Sequence, residues 1–150
     1  MTKTHFEQLS DLNIDFFESA KSSLLDPLGL YLANDVQWIK LNEKWNSLKF
    51  PVVIGGKGQP ILLLHGFDSS FLEFRRIYQS LKRNFQVIIP DLLGFGFSPR
   101  CVTNEYNSSK IISYLVDLLK TLETTKNLKI IGASMGGSTA LKFSFEYPNS

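Results

Sequence analysis

The sequence predicts an α/β fold with a mostly parallel, doubly wound sheet. The continuous apolar run at 60–64 has the composition of a strand that is buried on both faces. Segments whose apolar residues recur at helical spacing separate it from two further strand candidates, 85–90 and 128–131. Strands that alternate with helices form parallel sheets with helices on both faces, so this alternation predicts the fold class.

Length and composition limit the kinds of protein to consider. With 150 residues, 43% of them hydrophobic and 20% charged, the chain can bury the core of one domain. The net charge is +2 and the basic residues are scattered, so we expect no nucleic-acid partner. The single cysteine, Cys101, excludes an intrachain disulfide, and we interpret it as a structural or incidental thiol. We find no targeting signal and no apolar run of spanning length, and we therefore expect a cytoplasmic protein.

The first part of the chain is predicted to be helical. Apolar residues at helical spacing predict a helix over 5–25, and Asp26, Pro27 and Gly29 interrupt the pattern. We expect residues 1–34 to form a packed helical extension. A membrane-surface role is the alternative, which the acidic residues of this segment make less favourable.

The elements of the main domain follow from the same periodicities. The domain is expected to span residues 35–150. In chain order we predict strands over 36–41, 48–54 and 60–64, a helix over 71–82, a strand over 85–90, a helix capped by Asn107 or Ser108, a strand over 128–131, and a final helix that stops near Pro148.

A candidate nucleophile lies directly after the last strand. The segment Gly-Ala-Ser-Met-Gly at 132–136 is typical of a nucleophile elbow, a sharp strand-to-helix turn with a serine at its tip. Such a turn strains the backbone of Ser134 and exposes its hydroxyl. Gly132 and Gly136 have no Cβ and let strand and helix pass closely. The N–H of Met135, at a helix N-terminus, favours developing negative charge.

A second loop is expected at the same edge of the sheet. His65, Gly66 and Phe67 follow the buried strand, and parallel strands bring such loops together at their carboxyl ends. Gly66 allows the backbone to come close to a ligand. The N–H of Phe67 could then pair with that of Met135 to hold an oxyanion. We interpret the His65 side chain as structural, a ring that fixes the loop by hydrogen bonds, in preference to an acid–base role.

Two glycine patterns that resemble nucleotide-binding motifs do not qualify. Gly94 and Gly96 lack the third glycine of a dinucleotide fingerprint, since position 99 is a proline. Gly132 and Gly137 have the spacing of a phosphate-binding loop, but Ser138 stands where a lysine is needed. We therefore expect no nucleotide, no other cofactor and no metal.

Three segments together resemble the α/β-hydrolase superfamily. They are 63–67, 90–98 and 132–137, in this order and at plausible spacing. The resemblance covers roughly residues 35–150 and implies the N-terminal half of an eight-stranded, mostly parallel sheet, truncated after the elbow helix.

The same resemblance implies an activity and residue roles. It implies hydrolysis of an ester, thioester, amide or similar bond in a small-molecule acyl substrate. Ser134 matches the family nucleophile, Phe67 and Met135 match the oxyanion-hole donors, and Asp91 matches a structural aspartate. A serine in place of an aspartate at the elbow disfavours the epoxide hydrolase and haloalkane dehalogenase branches.

The chain also departs from the family pattern. The family order is serine, then an acid, then a histidine. After Ser134 the only acid is Glu146, and both histidines, His5 and His65, precede the serine. We expect the catalytic acid and histidine to be missing from this chain. The alternative function is a non-catalytic binding or interaction module, or one half of a split enzyme. An edge strand at 128–131 would favour a second chain or self-association.

Overall fold

The computed structural model describes residues 4–100 and 106–149. Its centre is a sheet in which the strands of the described residues have the order β1-β2-β4-β3-β5. These strands are β1 (Val36–Lys40), β2 (Lys49–Gly55), β3 (Gln59–Leu64), β4 (Phe85–Pro90) and β5 (Lys129–Gly132).

The sheet is mixed, with a parallel part where the sequence predicts one. Strand β3 runs parallel to β4 on one side and to β5 on the other. Strand β2 is antiparallel to both β1 and β4. The strands after residue 58 are linked by helices, and this is why they are parallel. The fold class predicted from the sequence is confirmed.

The helices cover both faces of the sheet. The described helices are α1 (His5–Ser22), α2 (Pro27–Ala33), α3 (Arg75–Leu81), α4 (Ser108–Thr121) and α5 (Met135–Glu146), with short 3₁₀ helices at Glu43–Trp45 and Phe71–Phe74. Among the described residues, no helix combines the length and the apolar composition that crossing a membrane requires.

Strand β3 is buried on both faces, as its apolar run predicts. Ile61 and Leu63 pack in the core under α1, α2 and α3, and Leu62 and Leu64 pack in the core under α4 and α5. None of the four side chains is more than 3% exposed. This alternation places two separate hydrophobic cores on the two sides of one sheet.

Helix α1 shares a core with the sheet. Phe17 is 3% exposed, and its ring lies 6.0 Å from that of Phe71 and 5.2 Å from that of Phe97. Edge-to-face aromatic pairs at such distances add to the burial of apolar area. The N-terminal helix is therefore fixed directly above the loops that follow β3 and β4.

The helical pattern is interrupted before Pro27, as predicted, but Gly29 lies inside a second helix. Helix α1 ends at Ser22, and Pro27 begins α2, because proline is well suited to the first position of a helix. Asp26 caps α2, with its Oδ1 accepting the N–H of Leu28 at 3.0 Å. Asp26 and Pro27 thus form the start of α2.

Two further predictions concern the helices after β3 and β4. The helix expected over 71–82 is divided into the 3₁₀ helix Phe71–Phe74 and α3. Asn107 is the cap of α4, and its Oδ1 accepts the N–H of Lys110 at 2.9 Å, as predicted. Cys101 lies outside the described residues.

Strand β5 forms an edge of the sheet within the described part of the chain. It pairs with β3, and the opposite side of the strand has no described partner strand. Ile131 on this strand is 43% exposed, and Leu141 and Phe145 on the neighbouring α5 are 65% and 84% exposed.

Candidate active site

Two loops meet where β3 and β5 end. Leu64 pairs with Gly132 in the parallel register, and the N–H of Ala133 donates to the carbonyl of Leu64 at 2.9 Å. Because the two strands end at the same level, the residues that follow them lie side by side. The predicted meeting of the His65–Phe67 loop and the serine turn is therefore present in the structure.

Ser134 occupies a strained position at the tip of the turn. Its φ is 51° and its ψ is −116°, and residues other than glycine rarely adopt a positive φ. The residue is exposed, and its hydroxyl caps no N–H of α5. The strain and the exposure predicted for this serine are both observed.

Gly132 and Gly136 are required by the close contact of strand and helix. A Cβ at Gly132 would lie 2.2 Å from the carbonyl oxygen of Gly136. A Cβ at Gly136 would lie 2.0 Å from the carbonyl oxygen of Leu64. Gly137 differs, since its Cβ would come no closer than 3.3 Å to a neighbour. Two of the three glycines therefore set how closely α5 approaches the sheet.

Two backbone N–H groups flank the serine. Met135 is the first residue of α5, so its N–H has no carbonyl within the helix to bond to. Gly66 lies against the serine, since a Cβ on it would be 3.5 Å from the Cβ of Ser134. Phe67 follows Gly66. Among the hydrogen bonds of the described residues, neither the N–H of Phe67 nor that of Met135 has a protein acceptor.

The ring of His65 is fixed by two hydrogen bonds. The N–H of Leu92 donates to Nε2 at 2.9 Å, so Nε2 must be the unprotonated nitrogen. Nδ1 then carries the proton and donates to the carbonyl of Gly66 at 2.8 Å. The ring is fully buried, and both of its nitrogens are occupied. This geometry fits a ring that holds the loop and leaves neither nitrogen free to accept a proton from Ser134.

Asp91 connects the loops after β3 and β4. Its Oδ1 accepts the N–H of Phe71 at 2.6 Å, and its Oδ2 accepts the N–H of Phe97 at 2.7 Å. Complete burial raises the pKa of Asp91 to about 7, against the lowering effect of these two donors. A Cβ at Gly96 would overlap this carboxylate, at 2.2 Å, so the loop after β4 closes directly over it.

Protonation of His65 should weaken the folded state in mild acid. Burial lowers the pKa of His65 below its ordinary value of 6.5, so the unfolded chain binds a proton more readily than the folded protein. The stabilisation from neutral His65 is complete above pH 6.5, the ordinary pKa, and is lost as the pH falls below it. The free energy of unfolding of the wild type should therefore approach that of His65→Gln as the pH is lowered from about 8 to about 5.

The other histidine supplies the control for this measurement. His5→Gln is the matched variant, because it makes the same substitution at an exposed histidine. If His65→Gln showed the same dependence as the wild type over this range, the assignment of a buried neutral imidazole would be wrong.

Glu73 is a site residue that the sequence analysis did not identify. Its Oε2 accepts the N–H of Gly66 at 2.8 Å. It also lines a groove of about 740 Å³, together with Phe16, Phe97 and Arg100. No periodicity or motif in the sequence points to this contact, because it joins residues seven apart across an irregular loop.

Glu146, the only acidic residue that follows Ser134 in the sequence, does not reach the serine. Glu146 is the last residue of the 12-residue helix α5, about 18 Å from Ser134 at 1.5 Å of rise per residue. Its carboxylate pairs with Lys142 at 3.8 Å. In residues 4–100 and 106–149, there is no group of three or more histidine, cysteine or acidic side chains that could hold a metal ion.

Comparison with known proteins identifies the family. Lipase 1 of Psychrobacter immobilis is 37% identical over 91 residues, which are 61% of this chain and 28% of the lipase. The soluble epoxide hydrolase of a Corynebacterium species is 33% identical over 101 residues, which are 67% of this chain and 35% of that enzyme. The chain thus spans about a third of the length of these relatives.

Solved structures give the same result. A meta-cleavage product hydrolase from Pseudomonas fluorescens IP01 superposes with a TM-score of 0.68 and 26% identity, covering 75% of this chain and 41% of that one. The sequence model of the α/β hydrolase fold matches residues 59–150. The chain belongs to the α/β-hydrolase fold family, and the predicted resemblance is confirmed.

Proposed function

We propose that this protein is a serine hydrolase that cleaves an ester, thioester or related acyl bond of a small-molecule substrate, with Ser134 as nucleophile. The observation that carries the proposal is the exposed, strained Ser134 between two N–H groups that have no acceptor in the described residues. The similarity to a lipase supports an acyl substrate. A serine at the elbow favours acyl transfer over the epoxide chemistry of the other relative.

The proposed reaction has two stages. In the first, the Ser134 hydroxyl oxygen attacks the carbonyl carbon while its proton passes to a base. The N–H groups of Phe67 and Met135 donate to the oxyanion of the tetrahedral intermediate, which collapses with release of the protonated leaving group. In the second, water attacks the acyl-serine, and the acid and the free serine are regenerated.

The base and its acid partner are proposed to come from residues outside this sequence. His65 cannot serve without breaking its bond to Leu92, and Glu146 is too far away. An oxyanion hole and a bound substrate can leave residual catalysis when triad members are absent, though it is orders of magnitude below that of a complete enzyme.

A fluorophosphonate probe tests Ser134 directly. We expect the probe to label the wild type and not Ser134→Ala, because reaction at phosphorus needs the hydroxyl oxygen as nucleophile. Ser138→Ala is the matched control, since Ser138 is an exposed serine one turn further along α5 and should leave labelling unchanged. Equal labelling of the wild type and Ser134→Ala, measured by intact mass, would refute the assignment of the nucleophile.

The edge position of β5 in the described sheet supports the second candidate function. Apolar edge strands tend to pair with another chain, and this one exposes Ile131. The alternative is therefore a binding or interaction module, or one half of a split enzyme, that associates with itself or a second chain here. No turnover on a panel of acyl esters, together with a stable complex in size-exclusion chromatography, would favour it. A well-folded monomer would contradict it.

A further inference from the structure

The direction of the Phe67 N–H depends on the backbone conformation of Gly66, the residue before it. Gly66 has no side chain, so packing of a Cβ does not restrict its two backbone torsions. A loop that must keep one N–H aimed at a reacting atom needs these torsions fixed by other contacts. Hydrogen bonds to the peptide groups on either side of Gly66 can do this, since each peptide group is a rigid plane.

One of these planes is fixed by His65. Its Nδ1–H donates to the carbonyl of Gly66 at 2.8 Å, and this carbonyl shares a trans peptide plane with the N–H of Phe67. In a trans peptide the C=O and N–H groups point in opposite directions. Drawing the carbonyl inward to the buried ring therefore turns the N–H of Phe67 outward.

The other plane is fixed by Glu73. Its carboxylate accepts the N–H of Gly66 at 2.8 Å, which orients the peptide group between His65 and Gly66. With both planes held, both torsions of Gly66 are determined.

Glu73 stands on a rigid support. It belongs to the 3₁₀ helix Phe71–Phe74, whose first N–H donates to the buried Asp91 at 2.6 Å. The side chains of Phe71 and Phe74 are 0% and 6% exposed. The carboxylate thus reaches Gly66 from a short helix that is anchored at its beginning and packed into the core.

We propose that Glu73 is a positioning residue, which fixes Gly66 so that the N–H of Phe67 points to the oxyanion formed at Ser134. This role rests on the proposed function. Glu73 acts through the backbone and touches no reacting atom. The contact requires an acceptor oxygen at the reach of a glutamate side chain, and it does not require the charge.

Variants of Glu73 separate these requirements. Glu73→Gln keeps an acceptor oxygen at the same reach, Glu73→Asp keeps the charge but is one methylene shorter, and Glu73→Ala removes both. We expect the second-order rate constant of fluorophosphonate labelling to fall about tenfold or more in Glu73→Ala and Glu73→Asp, and to stay within about threefold of the wild type in Glu73→Gln. Glu43→Ala, an exposed glutamate in the other 3₁₀ helix, is the control.

The adduct provides a readout that a merely structural role would not move. In labelling, the Ser134 oxygen bonds to phosphorus, fluoride leaves, and the hydroxyl proton passes to solvent, so that the phosphoryl oxygen takes the place of the oxyanion. The ³¹P chemical shift of the adduct should match the wild type in Glu73→Gln. In Glu73→Asp and Glu73→Ala it should move toward that of the unfolded adduct, while circular dichroism confirms a folded chain.

The outcomes distinguish the role of Glu73 from the function of the protein. The proposal is supported if Glu73→Asp and Glu73→Ala are labelled more slowly and show a displaced ³¹P shift, while Glu73→Gln matches the wild type in both. If the wild type is labelled, and Glu73→Ala and Glu73→Asp match it in both labelling rate and ³¹P shift, the proposed role of Glu73 is wrong. The assignment of Ser134 as nucleophile is then unaffected. A wild type that does not label at Ser134 overturns both.

Discussion

Gly136→Ala should lose most of its folded population. The added Cβ would lie 2.0 Å from the carbonyl oxygen of Leu64 and 2.7 Å from that of His65, and both are backbone atoms that cannot turn away. Relief requires α5 to leave the sheet. We expect a loss of about 4 kcal/mol or more, a large part of the roughly 5–15 kcal/mol that stabilises a typical domain. Chemical denaturation followed by far-UV circular dichroism measures it.

Gly137→Ala is the matched control in the same helix. Its Cβ would meet the carbonyl of Gly132 at 3.3 Å, a contact that a shift of a few tenths of an ångström relieves. Alanine is favoured over glycine within a helix by about 1 kcal/mol. The variant should therefore stay within about 1 kcal/mol of the wild type. Similar losses in the two variants would show that α5 does not pack on β3 as described.

Asp91→Ala should produce the second large effect. The N–H groups of Phe71 and Phe97 would lose their acceptor in a buried place, at about 1–3 kcal/mol each. We expect a total loss of about 2 to 5 kcal/mol. The 3₁₀ helix that carries Glu73 would also lose its anchor, so labelling at Ser134 should slow as well. The free energy of unfolding and the labelling rate, measured on the same samples, check both.

The effect of Asp91→Ala should depend on pH. Burial raises the pKa of Asp91 to about 7 from 3.8, so the folded protein binds the proton more readily than the unfolded chain. The stability that the folded protein gains from this raised pKa is complete below pH 3.8 and is lost as the pH rises through about 7. The destabilisation should therefore be larger at about pH 6 than at about pH 8.

Asp91→Asn is the comparison variant for this site. It keeps one acceptor oxygen but cannot titrate, so we expect a smaller loss than in Asp91→Ala. Its stability should lack the part of the pH dependence that Asp91 contributes. An Ala variant as stable as the wild type at both pH values would show that this carboxylate does not hold the two loops together.

Much of the fold could be predicted because local patterns and the sheet agree. Strand β4 has the predicted bounds, since the run from Phe85 to Pro90 has strong β character and ends at a proline. Strand β3 could be identified as buried on both faces because its run at 60–64 is continuously apolar. The order of the strands within the sheet depends on long-range packing, and single-residue patterns carry no signal for it.

The helix boundaries are hard to predict where one residue type can serve two purposes. Proline both ends and begins helices, so Asp26 and Pro27 indicate an interruption of the pattern but not that α2 starts there. The 3₁₀ helix at the start of the segment 71–82 begins with a hydrogen bond from Phe71 to Asp91, which joins residues 20 apart. No helical periodicity over twelve residues can report a contact of that kind.

The residues of the candidate site differ in the same way in how well the sequence predicts them. Ser134, Gly132 and Gly136 could be identified from the sequence because their spacing is fixed by one local turn. Glu73 could not, because its contact with Gly66 depends on where a short helix lies against a loop. The roles of Phe67 and Met135 remain predictions that the labelling experiments address.

The pairing of β3 with β5 has a consequence for how the protein folds. At the base of this pair, Gln59 binds the carbonyl of Asn127, 68 residues further along the chain. Contacts of such long range form late, because the entropy of closing the loop is lost before the contact is gained. The strained turn at Ser134 exists only when this closure is complete. A reactive serine would therefore appear only once β5 has paired with β3.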